Sequence, residues 1–180
     1  MRKVGLLLLL TALLAVPAMG QDEYPKAEIF GGFSYLNADT TPLSDLFGVE
    51  VGRQNALGFQ ASVAGNFHKN VGIVADFGAQ FKGVEGVTAH TYEYLFGPQF
   101  NSRTEKANVF FHGLFGGASI AGGGISYNGL ALGIGGGVDV KISDHLAFRV
   151  MQVDYIPSHL GGVWEHSFRL GVGIVFTGGK

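Results

Sequence analysis

The chain has 180 residues, no cysteine and a formal net charge of −2, and 47% of its residues are hydrophobic. The lack of cysteine excludes a disulfide scaffold, and the absence of a basic stripe argues against nucleic acid as a partner. Its 30 glycines follow no collagen-like period and stand among Phe, Val, Ile and Leu, which also excludes a collagen or a disordered chain.

Residues 1–20 have the pattern of a cleavable signal peptide. Arg2 and Lys3 provide the positive start, an apolar run covers 6–14, and Ala18 and Gly20 flank a small-residue cleavage site. The run is too short to cross a bilayer as a helix. We therefore expect a mature chain of residues 21–180 that folds as one domain. Its net charge is −4, because the leader removes two of the 12 basic residues and none of the 14 acidic ones.

Eight segments alternate apolar residues with polar or small ones at a period of two, which predicts β-strands rather than helices. In chain order they cover 26–36, 55–67, 71–81, 91–100, 108–118, 130–142, 146–155 and 168–176. The connections after strands two, four and six are short, and those after strands one, three, five and seven are longer. This asymmetry predicts an all-β fold, an eight-stranded antiparallel up-and-down transmembrane β-barrel with short periplasmic turns and both termini on that side.

The seventh strand interrupts the alternation. Its apolar phase up to Val150 would turn Gln152 and Asp154 toward lipid, where a carboxylate is costly. We therefore expect a β-bulge near Val150 and Met151 that returns Arg149, Gln152 and Asp154 to the interior. Misplaced strand ends are the alternative explanation.

One face of the predicted strands is polar and the other apolar. The polar face carries Glu28, Gln60, Asn66, Asp76, Gln80, Glu93, Gln99, His112, Asp139, Lys141, Arg149 and Arg169. Such a face is too polar for the core of a soluble lipocalin-like barrel, which is the competing interpretation. Aromatic residues gather near strand ends, as interfacial girdles do, at Tyr35, Phe67, Phe81, Tyr92, Phe100, Tyr127, Trp164 and Phe176. We expect the apolar face to point outward toward lipid.

Charged side chains inside so narrow a barrel must pair with one another. The expected interior network comprises Glu28, Glu93, His112, Asp139, Lys141, Arg149, Asp154 and Arg169. The two arginines are expected to meet the acids, and closure of strand eight on strand one favours Arg169 facing Glu28. Lys141 is placed near the periplasmic mouth. We interpret the network as a polar plug rather than a proton or ion pathway.

Four stretches carry a resemblance to a known family: KAEIFGGFSY at 26–35, FHGLFGG at 111–117, GGGVDVK at 135–141 and RVMQVDY at 149–155. The chain resembles the eight-stranded outer-membrane β-barrel proteins related to the OmpA transmembrane domain and to OmpX. The resemblance implies a monomer in the bacterial outer membrane, in contact with lipid and lipopolysaccharide, without a cofactor. It also implies a C-terminal signal for the assembly machinery, formed by Phe168, Leu170, Val172, Ile174 and Phe176.

The function that this resemblance implies is a structural role in the envelope. Only four residues follow Phe176, so we do not expect the peptidoglycan-binding domain of full-length OmpA. A second hypothesis is adhesion or resistance through exterior loops, above all the 38–54 segment, whose apolar residues could contact a partner or fold over the barrel mouth as a lid. We favour the lid.

A third hypothesis is a barrel enzyme such as a lipid A deacylase. Ser158-His159 and Glu165-His166-Ser167 supply the residue types of a hydrolase. However, neighbours in a strand point to opposite faces, and the His-x-Ser spacing of the deacylases is missing. The histidines lack metal-ligand spacing, and the glycine run at 133–137 lacks the Lys-Ser/Thr pair of a nucleotide loop. We therefore expect no catalytic, cofactor or metal site.

Overall fold

A computed structural model describes residues 24–39, 52–84, 87–122 and 124–179. The predicted signal peptide at 1–20 lies outside the described residues, and so does most of the 38–54 segment. In the part of the chain that is described, no helix is long and apolar enough to cross a membrane.

Eight antiparallel strands form one closed barrel in which each strand pairs with its neighbours in sequence and β8 pairs with β1. The strands are β1 (Ala27–Asp39), β2 (Gln54–His68), β3 (Val71–Val84), β4 (Val87–Arg103), β5 (Ala107–Gly122), β6 (Ile125–Ser143), β7 (Leu146–Leu160) and β8 (Val163–Gly178). The predicted number, order and up-and-down connection of the strands are confirmed.

The predicted strand lengths and three of the predicted loops are wrong. Only two residues separate β3 from β4, β5 from β6, and β7 from β8, so these connections are no longer than the turns predicted to be periplasmic. The end of the barrel at which β1 begins and β8 ends is called the periplasmic end, and the other the extracellular end, after the predicted orientation. The strands instead continue past the apolar segments, because backbone hydrogen bonding extends each hairpin whatever its side chains are. The sequence pattern marks where a strand meets lipid, not where its pairing ends.

The exterior of the barrel is apolar and its interior is polar, as predicted. Phe59 is 58% exposed and Leu132 39% exposed, whereas Arg149 is 4% exposed and Arg169 is wholly buried. A lipocalin-like arrangement, with apolar side chains packed around a central cavity, is therefore wrong. Tyr127 departs from the predicted girdle, because it shares the inward phase of β6 with Ala131.

The bulge predicted in β7 is confirmed. Opposite β8, the register shifts between Arg149 and Gln152, so that two residues of β7 face one residue of its partner. Val150 and Met151 both point outward, while Arg149 and Gln152 on either side are buried. Because of the bulge, the part of β7 before Val150 and the part after Met151 both keep their polar side chains inside.

Glycine permits the close approach of neighbouring strands in this narrow barrel. A Cβ atom at Gly58 would overlap the Ala79 carbonyl oxygen of β3, and one at Gly32 would overlap the Val172 carbonyl oxygen of β8. Both glycines are on the inward phase of their strands. Their lack of a side chain is what allows the wall to curve so tightly there.

The interior also contains clusters of apolar side chains, which the predicted polar face did not include. One cluster comprises Ala64, Val74, Leu95, Leu114, Ala118, Ala131, Ile156 and Leu160. A smaller cluster toward the periplasmic end comprises Phe30, Ala147 and Val175. The charged side chains lie between these apolar groups and share the lumen with buried amide and hydroxyl side chains.

Candidate functional site

The centre of the barrel is organised around the guanidinium of Arg169 on β8. Its Nη2 lies 2.6 Å from Asp76 Oδ1 and 2.8 Å from Asp154 Oδ2, and its Nη1 lies 2.7 Å from Glu93 Oε2. The three carboxylates belong to β3, β7 and β4. Because β3 and β4 lie across the barrel from β8, this cluster bridges opposite walls of the lumen.

Gly78 provides the space for this cluster. A Cβ atom at that position would lie 2.5 Å from Glu93 Oε2 and 2.7 Å from Arg169 Nη1. Both distances are far shorter than a van der Waals contact. The glycine on the inward face of β3 is therefore part of the site, although it contributes no polar group.

Two glutamines and a histidine complete the hydrogen bonding of the acids. Gln60 Nε2 donates to Asp76 Oδ2 at 2.7 Å, and Gln152 Nε2 donates to Asp154 Oδ2 at 2.8 Å. His112 Nε2 lies 2.8 Å from Asp154 Oδ1. These contacts matter because a buried carboxylate is costly when its oxygens lack donors.

Arg149 forms a second ionic centre, closer to the periplasm. Its Nε lies 2.7 Å from Asp139 Oδ1, and its Nη1 donates to Gln152 Oε1 at 2.6 Å. The guanidinium carbon also lies 4.3 Å from the ring centroid of Phe30 and 4.2 Å from that of Phe110. Gln152 thus connects the two centres, since it also donates to Asp154.

The predicted pairing of Arg169 with Glu28 is wrong. Glu28 is opposite Thr177 on β8, at the periplasmic end of the barrel, and its carboxylate contacts Arg103 of β4 instead. The sequence interpretation missed Arg103 because it placed that residue in a turn. The prediction assumed that two residues on adjacent strands lie opposite each other. In the structure, Arg169 is opposite Leu36 on β1.

Lys141 lies apart from both ionic centres. Its side chain is exposed, and its Nζ donates to the Thr104 carbonyl oxygen at 2.7 Å. It lines a cavity of about 550 Å³ at the periplasmic end, together with Glu28, Arg103 and Asp139. This position agrees with the expected place near the periplasmic mouth, although Lys141 pairs with no acid of the network there.

The candidate hydrolase residues lie on opposite faces of the wall. Ser158, Glu165 and Ser167 are buried on the inward phase, while His159 and His166 point outward. His166 Nδ1 instead lies 2.6 Å from the hydroxyl of Tyr155, which is also on the outward phase. Serine and histidine therefore cannot act on one another within this segment.

Glu165 lies near the extracellular end, above the apolar part of β8. Burial, the larger cause, and the nearby Asp39 carboxylate together raise the pKa of its carboxyl to about 7. A protonated Glu165 would be neutral in this part of the lumen. Among the described residues, no group of three or more His, Cys, Asp or Glu side chains is placed to hold a metal ion.

The five residues of the predicted C-terminal signal share the outward phase of β8. Phe176 at its periplasmic end is opposite Ile29 of β1 and Leu146 of β7. The recognition of this segment by an assembly machinery stays a prediction.

Solved structures share this architecture. The chain aligns with the attachment invasion locus protein Ail of Yersinia pestis at 18% identity and a TM-score of 0.53, over 85% of this chain and 99% of that one. It aligns with Neisserial surface protein A at 12% identity and a TM-score of 0.63, over 84% and 96% of the two chains. For the N-terminal β-barrel domain of Pseudomonas aeruginosa OprF, the identity is 10%, the TM-score 0.52 and the coverage 85% and 98%.

No protein-family model matches the chain, and neither does any curated protein. The likeness at these identities therefore concerns the fold, which is that of the eight-stranded outer-membrane β-barrels. The apolar exterior is what such a barrel presents to hydrocarbon.

Proposed function

We propose that this chain is an integral protein of the bacterial outer membrane with a structural role in the envelope. The observation that supports the proposal is the distribution of polarity. Large apolar side chains cover the outside of a closed barrel, while its buried arginines contact carboxylates inside. An apolar belt of this kind would be an aggregation hazard in water, but it is stable in lipid.

The ionic centres argue for a closed barrel rather than a pore. An eight-stranded barrel leaves a lumen only wide enough for side chains, and here Arg169 connects opposite walls through Asp76 and Glu93. Ions could pass only if these fully buried pairs separated, which would leave charges without partners in an apolar environment. The interior therefore acts as a plug that stabilises the barrel.

Outer-membrane lipid and lipopolysaccharide are the proposed surroundings, and the assembly machinery is the proposed partner during insertion. The support for the second is the outward apolar row on β8 that ends in Phe176. We further propose a monomer, since barrel closure leaves no strand edge for pairing with another chain. We propose no enzymatic activity, because the candidate serines and histidines are separated by the wall.

Adhesion stays a second hypothesis, and it depends on the 38–54 segment. One solved structure of Ail, to which this chain is similar, is a complex with the heparin analogue sucrose octasulfate. A sulfated ligand needs several cations, but the described extracellular ends of this barrel offer few beyond Arg53 and Lys82. The geometry therefore favours the structural role.

Fractionation combined with gel mobility tests the proposal. We expect the expressed full chain in the outer-membrane fraction, with a band that migrates differently before and after boiling, because membrane barrels resist unfolding in cold detergent. In planar bilayers, the folded protein should give no sustained conductance. Recovery in the soluble fraction would contradict the location, and a steady open-channel current would contradict the plug.

A further inference from the structure

The extracellular end of the barrel carries a polar strip on its outer surface. Two cross-strand rows form it: in the first, His166 is opposite Asp39, which Arg53 contacts from the position just before β2, and in the second, Asn37 is opposite Asn55. We call these five residues, together with Tyr155, the rim strip; it crosses β7, β8, β1 and β2. The five side chains that belong to strands are on the outward phase, and Arg53, just before β2, is exposed.

The residues of the rim strip contact one another. Arg53 donates to the Asn37 side-chain oxygen, and its Nη2 lies 3.3 Å from Asp39 Oδ2. Asn37 in turn donates to the Asn55 side-chain oxygen. Between β8 and β7, the His166 and Tyr155 rings are parallel, and their polar atoms are in hydrogen-bond contact. The strip therefore consists of two hydrogen-bonded groups, which lie side by side where His166 is opposite Asp39.

The depth of the rim strip corresponds to a lipid headgroup. Ten residues of β8 separate Phe176, opposite Ile29, from His166, opposite Asp39. Ten residues rise about 33 Å along a strand, which is roughly 25 Å along the barrel axis at the usual strand tilt. That height equals the apolar band of an outer-membrane barrel, so the row of His166 and Asp39 lies where hydrocarbon ends, and the row of Asn37 and Asn55 lies two residues closer to Phe176, just inside that boundary.

An apolar column lies directly below the rim strip. The next rows toward the membrane centre contain Leu170, Tyr35 and Leu57, then Val172, Phe33 and Phe59. Leu57 and Phe33 are 70% and 68% exposed, the highest values among the large apolar side chains of the described residues. Headgroup-type polar groups thus stand immediately above a surface suited to acyl chains.

Among the described residues, the opposite rim of the barrel carries no such strip. Its outward residues at the periplasmic ends of the strands include Phe67, Phe100, Val109, Ile142 and Phe176. At the extracellular end, Trp164 packs against His159 one row above His166. The two rims therefore offer different chemistry, which matches a bilayer whose two leaflets carry different headgroups.

We propose that the rim strip binds the phosphorylated sugar headgroup of an outer-leaflet glycolipid, whose acyl chains lie along the column below. The inference rests on the proposed outer-membrane location. Arg53 provides the charge for a phosphate oxygen, with which the long contact to Asp39 competes. The two asparagine amides, the Tyr155 hydroxyl and the His166 ring offer hydrogen bonds to sugar hydroxyls. A plain phospholipid would use the arginine but few of the other groups.

Lipid titration of the purified, folded full chain tests this site. Trp164 is the single tryptophan of the chain and lies next to the strip, so its fluorescence reports binding. The probes are bisphosphorylated lipid A, its dephosphorylated form and phosphatidylglycerol, each titrated in neutral detergent micelles. We expect the phosphorylated glycolipid to bind about tenfold more tightly than its dephosphorylated form, the effect of one strong charge-assisted hydrogen bond, and also more tightly than phosphatidylglycerol, which lacks the sugar hydroxyls.

The double variant Arg53→Gln/His166→Gln should lose this preference while keeping the heat-modifiable band. The matched control is Lys69→Gln/His90→Gln, which removes the same residue classes from a periplasmic turn and from β4, and it should bind as the unchanged protein does. If the double variant fails to fold, Asn55→Ala replaces it under the same criterion.

Equal affinity of the folded, unchanged protein for all three lipids would overturn the site, as would equal loss in the control. An unchanged protein that never gives the folded band would instead contradict the proposed function, so the two failures are distinguishable.

Discussion

Arg169 determines how the interior is held together at the scale of single residues. A buried guanidinium is costly to desolvate, and removing one partner of such a pair costs about 3–5 kcal/mol. Here one guanidinium contacts acids from three other strands, namely Asp76, Glu93 and Asp154. The cluster therefore ties together strands that are distant in sequence, and misplacement of any of them would leave a charge unpaired.

Gly78 gives a test of how tightly this cluster is packed. We expect Gly78→Ala to lower the free energy of unfolding by about 1–3 kcal/mol, because the new methyl group would overlap Glu93 Oε2 and Arg169 Nη1, whose positions are fixed by their other contacts. Urea unfolding followed by the fraction of heat-modifiable protein measures the change. Gly31→Ala is the control, since a Cβ atom there meets nothing within 4 Å. Equal effects of both substitutions would mean that the cluster adapts freely.

At the scale of the strand, the alternation of apolar and polar residues can be read from the sequence, but the partners of the buried charges cannot. The eight strands and the bulge in β7 were predictable because one residue of slip moves every side chain to the wrong side of the wall. The partners of Arg169 were not, because Asp76 is 93 positions away and their contact depends on tilt and register across the lumen. The outer ends of the strands were also unpredictable, since pairing there does not depend on side-chain polarity.

The bulge in β7 leads to an unusual expectation about a deletion. Val150 and Met151 both point outward opposite a single residue of β8, so removing Val150 leaves Arg149 inside, Met151 outside and Gln152 inside. We expect this deletion to retain the heat-modifiable band. Deleting Val172, which lies opposite the bulge on β8, should abolish it, because one half of that strand would change face. Loss of folding in both deletions would indicate that the bulge itself is required.

At the scale of the whole molecule, the barrel reverses the polarity of a soluble protein. Its apolar belt faces outward on all eight strands, and its ionised groups lie with apolar clusters in the lumen. This orientation was predictable from the alternation along the strands, because the face that alternates with the apolar one contains more charge than a soluble core accepts. Because of this orientation, the free-energy cost of a charge on the outer surface depends on its depth in the bilayer. A surface exposed to water would show no such dependence.

Two arginine substitutions on β2 measure that dependence. Phe59 lies near the middle of the apolar band, in the row of Phe33 and Val172, and Phe67 lies at the periplasmic end of β2; both point outward with 58% and 65% exposure. In phospholipid vesicles, we expect Phe59→Arg to reduce the free energy of unfolding by about 2–4 kcal/mol and Phe67→Arg by less than about 1 kcal/mol, because desolvation of the guanidinium is greatest at the bilayer midplane. Urea titration of both variants under identical lipid conditions gives the comparison. Similar small losses at the two depths would mean that water, rather than hydrocarbon, surrounds the belt.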